Sequence, residues 1–341
     1  MDKYIVVTGG GTGGHLKVAD AFIDELFKKG FKIIFIGSVN GQDKLWFEHD
    51  DRIEKKIFLD TRGVVNKKGI GKLLSLFNIL KKTIYCLSLY YKYKIKKVIS
   101  VGGFSAAPAT FASIIKPFCK LFIHEQNSKM GKLNEITSKF AKQVYSSFHS
   151  FSPIKDYPVS KEFFQNARVR TEVKTIAFFG GSQGAVAIND FAMNLSIELN
   201  KLGIKIIHQT GKNDFDRVKE FYEKNEIDVD VFDFTRDIIS KMNKADFVIS
   251  RAGASTLWEM CANNLPAYFV PYKYAAANHQ FYNAKDLYDK KMAFICNEDD
   301  LNVQEFLEVL KNINIEELSI RLKNSIKPHA VENIIEDIIQ K

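Results

Sequence analysis

Twice in this chain an apolar run ends in glycines and passes straight into helical spacing, first as Val6-Val7-Thr8-Gly9-Gly10-Gly11-Thr12-Gly13-Gly14-His15 and again as Ala177-Phe178-Phe179-Gly180-Gly181-Ser182-Gln183-Gly184-Ala185. A strand that breaks into a glycine turn and then a helix opens a parallel β-α-β unit, since glycine alone allows the tight reversal at no steric cost. Two such openings in 341 residues predict two domains. Other runs that are apolar on both faces, as buried parallel strands are, extend from Lys32 to Ile36, Val98 to Val101, Lys120 to His124, Ile204 to His208, Phe247 to Ser250 and Ala267 to Val270. Between them Val18, Ala19, Phe22, Ile23, Leu26 and Phe27 recur at helical spacing, closed by Gly30.

The alternation lapses between Ser146 and Arg170, around Pro153 and Pro158, which reads as a linker. The expected fold class is therefore α/β, two Rossmann-like doubly wound domains facing an interdomain cleft. The expected boundaries are 1–158, 159–325 and a closing amphipathic helix, 326–341, that returns to the N-terminal domain or packs on the second. The stretch from Val98 to Ile115 lacks charge but is interrupted by Gly102, Gly103 and Pro108, so it reads as strand, loop and helix, not a membrane span. Met1-Asp2-Lys3 and the short run after it do not form a secretory signal, and the chain is expected to begin here. Four scattered cysteines without a CxxC pair suggest neither zinc nor disulfides, and fit a reducing cytoplasm.

Charge is unevenly spread. The net charge is +9, yet no acidic residue lies between Asp60 and Glu125, where twelve Lys and Arg leave the rest of the chain at −3. The same segment is rich in apolar residues, with Leu73, Phe77, Leu80, Ile84 and Leu87 spaced by three or four. Two readings stand: this stripe is the buried face of an ordinary helix with a solvated lysine face, or the segment meets anionic lipid or polyphosphate. No recognised nucleic-acid module accompanies it.

Glycine turns at strand ends present backbone N–H groups to an anion at a helix N-terminus. Gly9, Gly11 and Gly14 match GxGxxG formally, but Gly37-Ser38 follow the second strand without the ribose-binding acid of a dinucleotide site. In the second loop Ser182 adds a hydroxyl. A third turn of this kind, Ser250-Arg251-Ala252-Gly253-Ala254-Ser255-Thr256, runs toward Glu259, and His279, Gln280 and Asn283 share a polar helix face. Asp228-Val229-Asp230 resembles a metal-binding DxD, but the interleaved Ile227, Val229 and Val231 read as a half-exposed strand.

Six segments in order, Gly10 to His15, Gly102-Gly103-Phe104, His124-Glu125-Gln126-Asn127, Gly180 to Ala185, Arg251 to Thr256 with Glu259, and His279-Gln280 with Asn283, resemble the MurG family of peripheral-membrane N-acetylglucosaminyltransferases. That resemblance implies a GT-B fold and inverting transfer of N-acetylglucosamine from UDP-N-acetylglucosamine to lipid I, forming lipid II, on the cytoplasmic face of the membrane. It implies that Ser182 contacts the diphosphate, the backbone around Thr235 the uracil, Ala254, Ser255 and Thr256 the phosphates, and Glu259 the ribose. Gln280, with His279, Asn283 and Asn127, is implied for the sugar, while Thr12, Gly13 and Gly14 face the cleft near the acceptor diphosphate and are grouped with the donor-binding residues. His15 is the first candidate for the catalytic base and Glu125 the second. No tightly bound cofactor or metal is expected; magnesium is left open, without a residue pattern that calls for it. The expected partners are UDP-N-acetylglucosamine, lipid I and an anionic membrane surface, and not nucleic acid.

Two positions depart from the family pattern. Ser160 stands where a phosphate-contacting arginine is usual, with Lys161 or Arg170 as replacements, and Val18 replaces a proline after the loop histidine. The alternatives are another GT-B lipid glycosyltransferase, such as one acting on diacylglycerol, and a non-enzymatic polyanion-binding protein.

Overall fold

The computed structural model describes residues 4–63, 69–181, 184–235 and 237–341, and of Ile70 and Lys72 the backbone alone. The chain divides into two compact units, one running to Val159 and resuming at His329–Lys341, the other Ser160–Pro328.

In the first unit the elements are β1 (Tyr4–Thr8), α1 (Gly13–Lys28), β2 (Lys32–Ser38), α2 (Asp43–Phe47), β3 (Lys55–Leu59), α3 (Gly69–Lys92), β4 (Lys97–Ser100), α4 (Ala107–Ile115), β5 (Lys120–His124), α5 (Lys132–Thr137) and β6 (Gln143–Tyr145). The second unit contains α6 (Lys161–Gln165), β7 (Thr175–Phe179), α7 (Val186–Lys201), β8 (Lys205–Gln209), α8 (Phe215–Lys224), β9 (Val229–Phe232), α9 (Ile238–Lys244), β10 (Phe247–Ser250), α10 (Ala254–Ala262), β11 (Ala267–Phe269), α11 (His279–Asp289), β12 (Phe294–Ile295), α12 (Val303–Asn312) and α13 (Ile315–Lys323). The last helix, α14 (Ala330–Gln340), belongs to the first unit.

Each unit holds one all-parallel six-stranded sheet, ordered β3-β2-β1-β4-β5-β6 and β12-β11-β10-β7-β8-β9. Counted from its own first strand, each has the order 3-2-1-4-5-6, so the chain reverses direction across the sheet beside β1 and beside β7. Ligands of such sheets bind where the strands' carboxyl ends meet that reversal, and both glycine turns lie there. The central strands are fully buried, as Val6, Val7, Phe35, Ile99 and Phe122 in one unit and Phe178, Phe247 and Ile249 in the other show. Val18 is buried in α1, which begins at Gly13, ahead of His15 and without the proline.

α14 buries Ile334, Ile335 and Ile338 against the first unit. Lys97 Nζ donates to the carbonyls of Ile338 and Ile339 at 2.7 and 2.6 Å, and Lys120 reaches the carbonyl of Lys341, so two lysines of the basic segment cap the negative end of this helix. Tyr145 donates to Asp337 at 2.6 Å.

The buried-stripe reading of α3 is overturned. Leu73 is 67% exposed, Phe77 69% and Ile84 61%, and Leu74, Leu76 and Leu80 are exposed with them, whereas Leu87 is half-buried. The helix turns Ser75, Thr83, Cys86 and Tyr90 inward, and the Tyr90 hydroxyl donates to the carbonyl of Ala109 in α4. The partly polar face packs and the leucine-rich face meets solvent. Val64, Val65, Lys67 and Lys68, which belong to the same expectation, lie outside the described residues. Among the described residues no helix is long and apolar enough to cross a membrane.

A buried histidine in each unit links pH to stability. In the second unit Asn189 donates its amide to the Thr210 carbonyl and Asp214, so its Oδ1 faces His208 Nε2 at 3.0 Å as an acceptor, and His208 Nδ1 accepts from Tyr222 at 2.7 Å. Burial pushes the imidazole of His208 down to about 3, and burial with nearby His15 does the same to His124 in the first unit. The unfolded chain protonates both near pH 6.5 while the folded chain refuses the proton, so stability falls as pH drops from about 6.5 toward 3, by about 1.4 kcal/mol per pH unit for each group. Urea midpoints between pH 7.5 and 4.5 should show this loss, reduced in His208→Gln; a dependence identical in that variant would contradict the assignment.

Candidate functional site

The first glycine turn is held by backbone contact. Gly9, Gly10 and Gly11 all have positive φ, Gly10 N donates to the Gly102 carbonyl at 3.1 Å, and a Cβ on Gly103 would stand 2.2 Å from the Gly10 carbonyl oxygen. Asp43, passed over in the sequence, is fully buried and accepts from Gly11 N at 2.5 Å and Ser38 N at 2.8 Å. An acid near the end of the second strand is therefore present, and its oxygens are taken by the backbone N–H groups of Gly11 in the glycine turn and Ser38 at the end of β2. Beyond it Thr12 precedes α1 in an extended conformation, Gly13 and Gly14 open the helix, and the Thr12 hydroxyl meets His15 Nδ1 at 2.8 Å.

At the end of β5, His124 is buried between the rings of Phe22 and Tyr157, each 5.6 Å away, and is neutral. Glu125 is also buried; one oxygen accepts from Asn127 N at 2.9 Å and the other from Gly131 N at 3.0 Å and Asn134 Nδ2 at 2.8 Å. Its carboxylate closes the 125–134 loop and holds Asn127 at its edge, an arrangement suited to positioning more than to proton abstraction. Thr12, Gly13, Gly14, His15, Glu125 and Asn127 thus gather at the carboxyl ends of β1 and β5.

In the second unit a Cβ on Gly184 would lie 2.4 Å from the Thr210 carbonyl oxygen, which explains a glycine before α7; Ser182 and Gln183 lie outside the described residues. Gly253 precedes α10 in an extended conformation, so the first-turn N–H groups of that helix are those of Ala254, Ser255 and Thr256, with Ser255 buried and Thr256 half-buried. Glu259 is buried one turn further. Thr235 is half-buried, its hydroxyl accepting from Asp237 N at 3.0 Å.

The shared polar face of His279, Gln280 and Asn283 is only partly found. Asn283 is fully buried and donates to the Ala252 carbonyl at 3.2 Å, so it ties α11 to the turn before α10. Gln280 Oε1 accepts from Tyr272 N at 3.0 Å, and His279 Nδ1 donates to the Ala276 carbonyl at 2.8 Å. Ala277 and Asn278, just before them, are both left-handed, a strained approach for the alanine. Arg251 is visible in the sequence only as part of a motif. It pairs with Glu298, donates to the Val270 carbonyl and lies 5.4 Å from the Tyr272 ring, bracing the segment that carries Gln280.

Arg170 cannot stand in for the missing arginine at Ser160, because its guanidinium is fully buried and bonded to carbonyl oxygens. Lys161, at the start of α6, is exposed. Asp228 lies just before the edge strand β9 and Asp230 within it, where Asp230 pairs with Lys241 at 2.6 Å, consistent with a half-exposed strand.

This architecture matches known proteins over nearly its whole length. The family model described as glycosyltransferase family 28 N-terminal domain matches residues 5–146, and the one described as its C-terminal domain matches 175–340. The crystal structure of Acinetobacter baumannii MurG superposes with a TM-score of 0.84 at 26% identity, covering 99% of this chain and 100% of that one. A protein of Campylobacter jejuni subsp. doylei is 48% identical over 333 residues, 97% of this chain and 96% of the relative. One of Campylobacter fetus subsp. fetus is 48% identical over 337 residues, 99% and 100% of the two chains. Both are named UDP-N-acetylglucosamine--N-acetylmuramyl-(pentapeptide) pyrophosphoryl-undecaprenol N-acetylglucosamine transferase. The chain belongs to the MurG family within glycosyltransferase family 28 and has its GT-B fold.

Glu125→Gln tests the loop's support. An amide turned either way sets an N–H group against backbone or side-chain donors, so this isosteric change should destabilise the protein by about 1–3 kcal/mol, read as a lower urea midpoint. An unchanged midpoint would show that the carboxylate is not what holds the loop.

Proposed function

We propose that the chain transfers N-acetylglucosamine from UDP-N-acetylglucosamine to lipid I, with inversion, forming lipid II at the inner face of the membrane. The observation that carries this is the near-complete match to relatives that bear that transferase name. The second unit binds the donor: N–H groups and hydroxyls at Ala254, Ser255 and Thr256 receive the diphosphate, Glu259 the ribose, the Thr235 backbone the uracil, and Ser182 the phosphates from the β7 turn. Gln280 keeps its amide Nε2 for a sugar hydroxyl while its oxygen is held by Tyr272, and His279 completes the sugar contacts. Asn283 acts through Ala252 as a support.

Departure of UDP develops negative charge, which donors fixed at a helix N-terminus stabilise without reorganising. This chemistry needs no tightly bound cofactor. The acceptor hydroxyl gives its proton to His15, whose Nδ1 lies 2.8 Å from the Thr12 hydroxyl; the tautomer that acts as base carries its proton on Nδ1 and its lone pair on Nε2. Thr12, Gly13 and Gly14 offer their N–H groups to the acceptor diphosphate.

The inverted helix α3 supplies the membrane contact. Its exposed Leu73, Leu74, Leu76, Phe77, Leu80 and Ile84 each gain about 1.5–3 kcal/mol on full removal from water, and the lysines around them, with no carboxylate in the segment, favour anionic lipid.

Radiolabelled N-acetylglucosamine should pass from its UDP carrier to a lipid I analogue and not to diacylglycerol; the opposite acceptor preference would overturn the proposal. His15→Ala should lower kcat by about 10²- to 10⁴-fold with donor KM little changed, whereas near-normal turnover at saturating substrates removes His15 as the base. A Leu73→Ser/Phe77→Ser/Ile84→Ser variant, altered only at exposed positions, should keep UDP binding and lose co-sedimentation with anionic vesicles. Unchanged sedimentation would exclude α3 as the anchor.

A further inference from the structure

Arg170 is fully buried, and five hydrogen bonds from its guanidinium all end on carbonyl or amide oxygens. Nε donates to the Ala245 carbonyl at 3.2 Å and Nη2 to that of Met242 at 3.1 Å, both at the carboxyl end of α9. Nη1 donates to the Asn263 carbonyl and Nη2 to Asn263 Oδ1 at 2.6 Å, at the carboxyl end of α10; the remaining bond closes on the Arg168 carbonyl at 2.9 Å. Arg168 reinforces the α9 side through the carbonyls of Asn243 and Ala245 and through Asp246. Asn263 then donates to Asn243 at 2.7 Å, bridging the helix ends directly.

Burying a cation costs several kcal/mol, and burial lowers this guanidinium's pKa to about 9, with repulsion from Arg168 acting in the same direction. It is still charged at neutral pH. What offsets the cost is the pair of negative helix ends aimed at it, a geometry open to a planar, five-donor group and not to an ammonium.

α9 and α10 are the helices whose opposite ends adjoin Thr235 and carry Ala254 to Thr256. We infer that Arg170, assisted by Arg168 and Asn263, is a positioning residue that sets the spacing of these two turns, so that one nucleoside diphosphate reaches both. This rests on the donor site proposed above. It assigns to the buried arginine a function exerted at the far ends of two helices, about 10–13 Å along their axes.

The full-length chain serves for the test, with Arg170→Lys, Asn263→Ala and Arg168→Gln, all assayed at a temperature where circular dichroism shows each to be folded. Donor KM should rise about tenfold in Arg170→Lys and by a smaller factor in Asn263→Ala, with acceptor KM unchanged within twofold. Competitive inhibition by UDP should weaken in parallel, while inhibition by inorganic pyrophosphate, which meets the α10 turn and not the uracil turn, should hold. If Arg170→Lys does not fold, Asn263→Ala and Arg168→Gln carry the same comparison. Equal shifts in the two KM values, equal weakening of UDP and pyrophosphate, or an unchanged donor KM would overturn the inference. Failure of the unaltered chain to bind UDP would instead defeat the donor assignment on which it rests.

Discussion

Everything in the first unit's site follows from one close approach, the backbone of Gly9 to Gly11 lying against that of Gly102 and Gly103 with Asp43 beneath. Two strand-end turns can share this space only if neither carries side chains. The buried carboxylate takes up the Gly11 N–H that the strained turn would leave unpaired, so the loop enters α1 with Thr12 and His15 already placed. In the second unit Gly184 lies as closely against Thr210, whose carbonyl also accepts from Asn189. Each site is thus built by packing backbone on backbone, and the side chains that do chemistry are attached to an already rigid edge.

The two faces of α3 illustrate a different constraint. A helix is normally read by assigning its apolar side to the core, and the spacing of Leu73, Phe77, Leu80 and Ile84 invites that. The inward side is instead that of Ser75, Thr83, Cys86 and Tyr90, the last tied by its hydroxyl to Ala109 in α4. Periodicity identified the helix and its stripe but not which solvent the stripe faces, because water, lipid and protein interior impose the same repeat.

Legibility elsewhere followed burial. Central strands such as Tyr4–Thr8, Thr175–Phe179 and Phe247–Ser250 were readable because both faces are apolar. The edge strands Lys55–Leu59, Gln143–Tyr145 and Phe294–Ile295 were missed, being short or half-polar. Motif residues at the site were visible as types and spacings. Their supports Asp43, Glu298 and the guanidinium of Arg170 were not, since each acts across tens of residues on a partner that spacing does not reveal, and neither was Asn134, which reaches Glu125 across a loop of nine. Asn283 shows the converse: a polar residue at a ligand-like spacing whose amide is engaged by the fold itself.

The return of α14 to the first unit has a temporal meaning. The chain leaves that unit at Val159, builds the whole of the other, and supplies Ile334, Ile335 and Ile338 only afterwards. During vectorial synthesis the second unit is therefore contiguous and can close first, while the earlier-made unit waits with the surface of α1 and the lysines Lys97 and Lys120 uncovered. The unit that emerges first is completed only after the second, with α14 as its clasp.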